Sequence, residues 1–579
     1  MSHAPKRRPI RWARLSTWIA PVVFLGIAFL LYANALSGAF VYDDQTFIIS
    51  GAMRESAYLW NVWWEPSLKG MPFAPQYRPL TFFTFALNFL LTGESPVWFH
   101  AVSVVLHGLT SWLLFVLARR LFGNETVAWC TALLFVILPI HTEAVAYIKA
   151  RDDLLVAFFG LLSWIAFLRA TDFRKHRQIF FGVLSALCSL LAFCSKESAL
   201  VIPFLLMGAF AFHHGIRSLS RTWIAVLFQA LAIAVFLAMR YQAVGMVGAP
   251  QTEILYFGQN PLGHLGAAYV PWTAAVLLFV AVGKTFVPWN LSATYGYAHI
   301  PPMDGLLDSW MPLAGLLVLA ALVLFMVVPR TRTMPLGIGA LAFLVLYLPF
   351  SKLLLWMNID MFGERWLYAP SIGLSMIGGY VASLLLLRPV IAGIGFAILA
   401  ATYAAILVGR NPVWRDMNAL AESMVRSAPD SVIAYDVLAN ERLQQGRTEE
   451  AYVLIQIGLR ITRDHIPLHH TAAAVALDMG RTDLADQAVA EAERLRPQES
   501  HTVILRATVL AKQGRFQKSL DHLVACRTLN MNGHRVRFLY ALNLWRLGRM
   551  EEASLYFDWD AGFQNRLTDE QKIWVIESF

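Results

Sequence analysis

Apolar runs long enough to cross a bilayer, or nearly so, recur through the first two thirds of the chain, at 17–36, 98–117, 127–147, 154–168, 179–194, 199–212, 223–239, 310–328, 336–350, 369–387 and 390–408. In hydrocarbon every backbone N–H and C=O needs an internal partner, so each run is predicted to be a helix, about eleven spans in all. A further apolar stretch, 262–287, is interrupted by Pro271 and Lys284 and reads as interfacial or re-entrant. Past Arg410 the pattern turns polar and periodic. Gly446, Gly480, Gly514 and Gly548 recur every 34 residues, each followed by Arg. Five residues after them stand Ala451, Ala485, Ser519 and Ala553; seven before stand Ala439, Ala473, Ala507 and Ala541. Small residues at those offsets let paired helices approach, and a glycine ends the first helix in a left-handed cap, the tetratricopeptide design. Position 27 of the unit reads Gly458, Ala492, Cys526 and Asp560, so the last unit gives up its small packing residue as a cap would.

The predicted fold class is therefore all-α: a polytopic membrane helix bundle over 1–410, a linker helix over 411–431, and an α-solenoid over 432–579 with units beginning near 432, 466, 500 and 534. Composition agrees, with 57% hydrophobic and 15% charged residues. The net charge of +9 does not point to nucleic acid, because Lys and Arg sit in short tracts between apolar runs, where they act as topology signals. Those tracts are Lys6, Arg7, Arg8, Arg11 and Arg14; Arg119 and Arg120; Arg174, Lys175 and Arg177; Arg217 and Arg221; Arg330 and Arg332; and Arg388. Alternation across the runs puts all of them on the cytoplasmic side. It puts residues 37–97 and everything after Val408 on the outward side, periplasmic or luminal. The N-terminal run exceeds the core of a secretory signal, so it is read as a span. The first outward loop, with Trp60, Trp63, Trp64, Phe73, Tyr77, Phe82, Phe83 and Phe85, suits interfacial helices. Cys130, Cys188, Cys194 and Cys526 form no CxxC pair, and no metal-ligand spacing is present. His100 and His107 share a helical face and read as packing inside the bundle. There is no Walker phosphate loop, which disfavours ATP-driven transport.

Charged residues at a membrane boundary are costly and mark candidate sites. Asp43 and Asp44 lie just beyond the first span, where a plain helix cap is the competing explanation. The next outward loop carries His141, Glu143, Lys149, Arg151, Asp152 and Asp153; the third Lys196 and Glu197; the fourth Asp360, Glu364, Arg365 and Tyr368. Topology puts all four groups on one side, carboxylates for base work beside cations for a phosphate.

At these residues the sequence resembles the transmembrane and tetratricopeptide-repeat-containing protein O-mannosyltransferases, within the glycosyltransferase C superfamily. The resembling segments are 40–44, Tyr77-Arg78-Pro79-Leu80-Thr81, 99–107, Pro139 to Tyr147, Arg151-Asp152-Asp153-Leu154-Leu155, Lys196-Glu197-Ser198 and Glu364 to Ser371, with Trp366 a departure from the expected Tyr. The resemblance implies a bundle of glycosyltransferase C type and inverting transfer of a hexose, mannose by analogy, from a polyprenyl-phosphate carrier to a protein hydroxyl. It implies Asp43 as base with Asp44 orienting it or the acceptor. It implies Lys196 and Arg365 as the first phosphate-binding cations with Lys149 and Arg151 behind them, and a lining of His141, Glu143, Asp152, Asp153, Glu197, Glu364 and Tyr368. The donor is the lipid-linked sugar, no cofactor is specified, and a divalent cation stays an option. The repeats would hold a peptide or protein acceptor. The host membrane would be the bacterial inner membrane or that of the endoplasmic reticulum. Competing functions are transfer to a lipid or surface glycan, and a non-enzymatic transporter or repeat scaffold.

Overall fold

The structure is a computed structural model, and it describes residues 11–48, 51–67, 76–172, 175–247, 257–296, 299–354, 360–386, 389–497, 499–526 and 534–556. Lys6, Arg7, Arg8, Phe73, Arg174, Arg388 and Asp560 lie outside the described residues. Two compact units emerge: residues 1–255 with 259–428, and residues 256–258 with 429–579.

The first unit is helical and apolar. Among the described residues, eight of its helices are long and apolar enough to cross a membrane, from Pro96–Phe122 to Gly393–Trp414, and shorter apolar helices include Ile19–Ala35, Pro335–Phe350 and Ser371–Leu385. The chain is thus a multi-pass membrane protein. Two expectations change. The run 127–147 is a bent pair, Glu125–Ile137 and Pro139–Ala146, turned by 49°, because Pro139 has no N–H to continue the ladder. Within 262–287, Ala267–Phe286 is one of the eight long apolar helices. Pro271 sits in its first turn, where a proline is tolerated. Lys284 sits in its last turn and donates to the carbonyls of Trp289 and Asn290 at 3.1 and 3.0 Å. Neither residue interrupts the helix, while the sidedness of Arg330 and Arg332, which a crossing here would reverse, still argues for an interfacial or re-entrant segment.

The loop after the first apolar helix folds on itself. Phe40, Phe47, Ile48, Met53, Val62, Phe82, Phe85, Phe89 and Phe99 form a small core with Ile148, while Trp60 and Trp64 stay exposed. The segment after the last apolar helix, expected to be a linker, is stitched onto the same unit. Ala39 N–H donates to the Arg415 carbonyl at 2.7 Å, Asn411 donates to the Leu31 carbonyl at 2.8 Å, and Asn290 donates to the Ser427 carbonyl at 3.0 Å.

Among the described residues, the second unit contains four helix pairs, beginning with Val432–Gln444 and Thr448–Ile461 and ending with His534–Arg546 and Met550–Tyr556. Gly446, Gly480, Gly514 and Gly548 hold φ between 70° and 79°. The following Arg N–H reaches back five residues, as from Arg447 to the Arg442 carbonyl at 2.8 Å, closing the Schellman cap that only a left-handed residue permits. Ala439, Ala451, Ala473, Ala485, Ala507 and Ser519 are buried between the helices, as the repeat spacing predicts.

Candidate active site

The site begins at a strained turn. Tyr42 holds φ +53°, a conformation that costs a non-glycine residue about 1–3 kcal/mol and tends to persist where function over-determines it. It launches the short helix Asp43–Phe47 and sends the two carboxylates in different directions. Asp44 is fully buried, with one oxygen accepting from Val41 N–H at 3.0 Å and the other from Lys149 N–H at 2.8 Å. Burial pushes its carboxyl up to about 8, against those two donors, which favour the ionised form. Asp44 therefore clamps two loops together and is not itself placed to touch a substrate. Asp43 is half-buried and has no hydrogen-bond or ion-pair partner among the described residues. It acts electrostatically on Lys149, Arg365, Tyr147 and Asp360.

Arg365 belongs to a belt of paired charges. Glu143 accepts from Arg365 twice, through the backbone N–H at 3.0 Å and through Nη1. The Arg365 guanidinium lies 6.0 Å from the Tyr147 ring and 5.9 Å from that of Trp366. Lys196 Nζ reaches Asp153 at 2.6 Å and Asp152 at 3.5 Å. Asp152 also holds Arg78 at 2.8 Å, and Arg78 pairs with Glu197 at 3.1 Å, which pairs in turn with Arg240 at 2.9 Å. Asp152 feels Lys149 and Arg365 as well as its direct partners, so the two halves of the belt are electrostatically continuous. Phe350 and Trp366 stack at 5.5 Å, with Lys196 beside the first ring and Lys352 beside the second. Lys149 differs from the other cations. Its ammonium rests 5.2 Å from the Phe47 ring and makes no ion pair among the described residues.

Several residues expected at the site are turned away from it. Arg151 is fully buried, donating to Asn88 at 2.9 Å, Thr84 at 3.3 Å and the Phe99 carbonyl at 3.0 Å, with Phe85 under its guanidinium. Its two terminal nitrogens hold helices Pro79–Thr92 and Pro96–Phe122 to its own, and the side chain is buried beneath the site instead of facing it. Glu364 is buried and braces Arg410 at 2.8 Å and the Tyr295 hydroxyl at 2.6 Å. His141 bonds Ser371 at 2.7 Å and Tyr368 bonds His107 at 2.9 Å, inside a packed ring cluster with Phe135. These three support the site from beneath and do not line it. The physical reason is common: each lies on a helix face that the bundle closes over, which spacing along the chain cannot tell.

The sequence pattern missed Arg78, Arg240, Lys352 and Tyr147. Arg78 precedes Pro79 at a helix start and Arg240 sits near the end of an apolar helix, and a costly boundary charge was the available signal for both. Lys352, with φ +66° and burial pushing its amine down to about 8, carried no local signal. Among the described residues no three His, Cys, Asp or Glu side chains are grouped as a metal ion would need.

Residues 74–241 match the family model described as dolichyl-phosphate-mannose-protein mannosyltransferase. Protein O-mannosyl-transferase TMTC1 of Mus musculus is 35% identical over 213 residues, 34% of this chain and 22% of that protein. Protein O-mannosyl-transferase Tmtc3 of Drosophila melanogaster is 24% identical over 571 residues, 85% of this chain and 60% of that protein. The chain thus spans from 22% to 60% of the length of these relatives. Among solved structures, ArnT from Cupriavidus metallidurans bound to undecaprenyl phosphate is 14% identical, with a TM-score of 0.44 over 82% of this chain and 80% of that one.

Proposed function

We propose that this chain, a relative of the transmembrane and tetratricopeptide-repeat-containing protein O-mannosyl-transferases, is a membrane glycosyltransferase that moves mannose from a polyprenyl phosphate to a hydroxyl of a protein acceptor. The observation that carries the reading is the Asp43 carboxylate. It is unpartnered among the described residues, adjacent in the chain to the Asp44 clamp, and coupled electrostatically to Lys149 and Arg365. A base must be free to take a proton, whereas the other carboxylates of the belt are committed to cations.

In the step proposed, the acceptor oxygen attacks the anomeric carbon and its proton passes to Asp43. The bond from that carbon to the phosphate oxygen breaks on the opposite face, and polyprenyl phosphate leaves with the electron pair, so configuration inverts. Negative charge grows on the leaving phosphate, where a preplaced cation counts most. Lys149 is the first choice for that role, because Lys196 and Arg365 already answer Asp153 and Glu143. Arg365 contributes next, through the guanidinium it keeps near Tyr147 and Trp366. Val156, Gly160, Ile202, Leu346 and Ala369 line a small apolar crevice of about 20 Å³ between helices, one turn from Asp153 and Phe350. The site is assigned to the periplasmic or luminal side, together with the repeats as holders of the acceptor polypeptide.

The test is incubation of the purified chain with radiolabelled dolichyl- or undecaprenyl-phosphate mannose and Ser- and Thr-containing peptides. Label should pass to the peptide with the wild-type chain and not with Asp43→Asn, which should still insert and fold. Equal transfer by both proteins would end the assignment of Asp43, and no transfer from either donor would end the reading itself.

A further inference from the structure

One buried polar atom near Asp43 is left over by the scheme above. The Tyr147 side chain is 0% exposed, and its hydroxyl has no hydrogen-bond partner among the described residues. The ring cannot turn away to find one. It stacks on Trp414 at 5.0 Å and 19°, and the Arg365 guanidinium stands 6.0 Å from its centre. Its backbone N–H is bound to the Glu143 carbonyl at 3.1 Å, and Lys149, whose N–H Asp44 holds, is two residues on. Of the charged groups around the phenol, Asp43 weighs most, ahead of Asp44 and Arg365. A phenol beside carboxylates keeps its proton and is a hydrogen-bond donor.

We propose that Tyr147 and Asp43 together grip one hydroxyl group, Tyr147 donating to its oxygen while Asp43 accepts its proton. This rests on the transferase reading and deepens it. The argument is one of hydrogen-bond complementarity. Asp43, when ionised, only accepts, and the phenol beside it donates, so a ligand bridging them must donate and accept through one small group. A phosphate oxygen can accept from Tyr147, but the Asp43 charge repels it. An ammonium can donate to Asp43 but offers Tyr147 no lone pair. A hydroxyl meets both demands, and it would give the buried phenol the partner it lacks. The hydroxyl belongs either to the acceptor or to the sugar of the donor. In the first case Tyr147 orients the attacking oxygen; in the second it selects among sugars.

The test uses the full chain in lipid nanodiscs with dolichyl phosphate mannose and an acceptor peptide. Tyr147→Phe removes one oxygen atom and keeps the ring that stacks on Trp414, so the thermal midpoint should not fall. Transfer efficiency, kcat/KM, should drop about tenfold, one hydrogen bond's worth. Affinity for dolichyl phosphate, which carries no sugar, should be unchanged. If the hydroxyl is the acceptor's, the loss appears in the peptide KM or in kcat. If it is the sugar's, deoxymannosyl donors lacking the gripped hydroxyl erase the difference between wild type and variant. Wild-type kcat/KM in Tyr147→Phe would overturn the inference while leaving the transferase reading standing. A wild-type chain inert towards the donor would overturn both.

Discussion

Replacing Lys149 with Met removes an ammonium that makes no ion pair among the described residues and rests 5.2 Å from the Phe47 ring. Replacing Lys196 with Met strips the partner from Asp153 at 2.6 Å and from Asp152 at 3.5 Å, both buried. The two lysines look alike along the chain, yet the expected consequences are opposite. For Lys149, an ammonium and a phosphate about 4 Å apart attract by about 4 kcal/mol at an effective dielectric of about 20. Partial exposure of the site roughly halves that, so the loss should be about 2 kcal/mol, or roughly 30-fold in Kd for polyprenyl phosphate. Stability should hold, since no carboxylate is orphaned. For Lys196, removing one member of a buried pair costs about 3–5 kcal/mol, because the remaining charge stays desolvated. Arg78 still faces Asp152 and places the expectation near the lower end of that range. The assay measures two quantities on each variant in nanodiscs: the Kd for dolichyl phosphate and the thermal unfolding midpoint. Lys149→Met should shift the first and spare the second; Lys196→Met should lower the second by several degrees. The reasoning fails if Lys149→Met binds like wild type, or if Lys196→Met keeps its midpoint and loses only affinity.

Two further outcomes follow from the same contacts. Arg151→Met should reduce the yield of folded protein, not merely donor affinity, because Asn88 and the Phe99 carbonyl lose a buried partner at about 1–3 kcal/mol for each unsatisfied group; size exclusion and thermal unfolding read this directly. In the repeat unit, Glu499 caps Ser500–Lys512 by accepting from Thr502 N–H at 2.9 Å and lies 3.3 Å from His470. Although burial opposes it, the hydrogen bonds from His470 and Thr502 hold its carboxyl down at about 2, from an ordinary 4.5. A depressed acid adds stability that is complete above 4.5 and is lost as pH falls towards 2. Protection factors of the amides of this helix should therefore fall across that window in the wild type, and Glu499→Ala should flatten the dependence.

The parts that read directly from sequence are those set by local rules. The repeat units are legible at Gly446, Gly480, Gly514 and Gly548, since a left-handed cap depends on one residue and its immediate neighbours. The apolar helices are legible because hydrocarbon leaves the backbone no alternative. Boundaries are less so: the bend at Pro139 and the unbroken helix Ala267–Phe286 both follow from where a proline sits within a turn, not from its presence.

For the site, the sequence by itself determined an inventory: which carboxylates and cations stand at the ends of apolar runs, and that Asp43 and Asp44 are adjacent. Only the tertiary structure decided their division of labour. Asp44 turns inward to the Lys149 amide and leaves Asp43 available; Glu143 claims Arg365 from 222 residues away; Asp153 claims Lys196 across 43. Arg151 disappears into a helix junction, and Tyr147 emerges with an unspent hydroxyl. The physical reason is that a charge is defined functionally by what neutralises it. In a helix bundle that partner comes from another helix, at a separation no local pattern records.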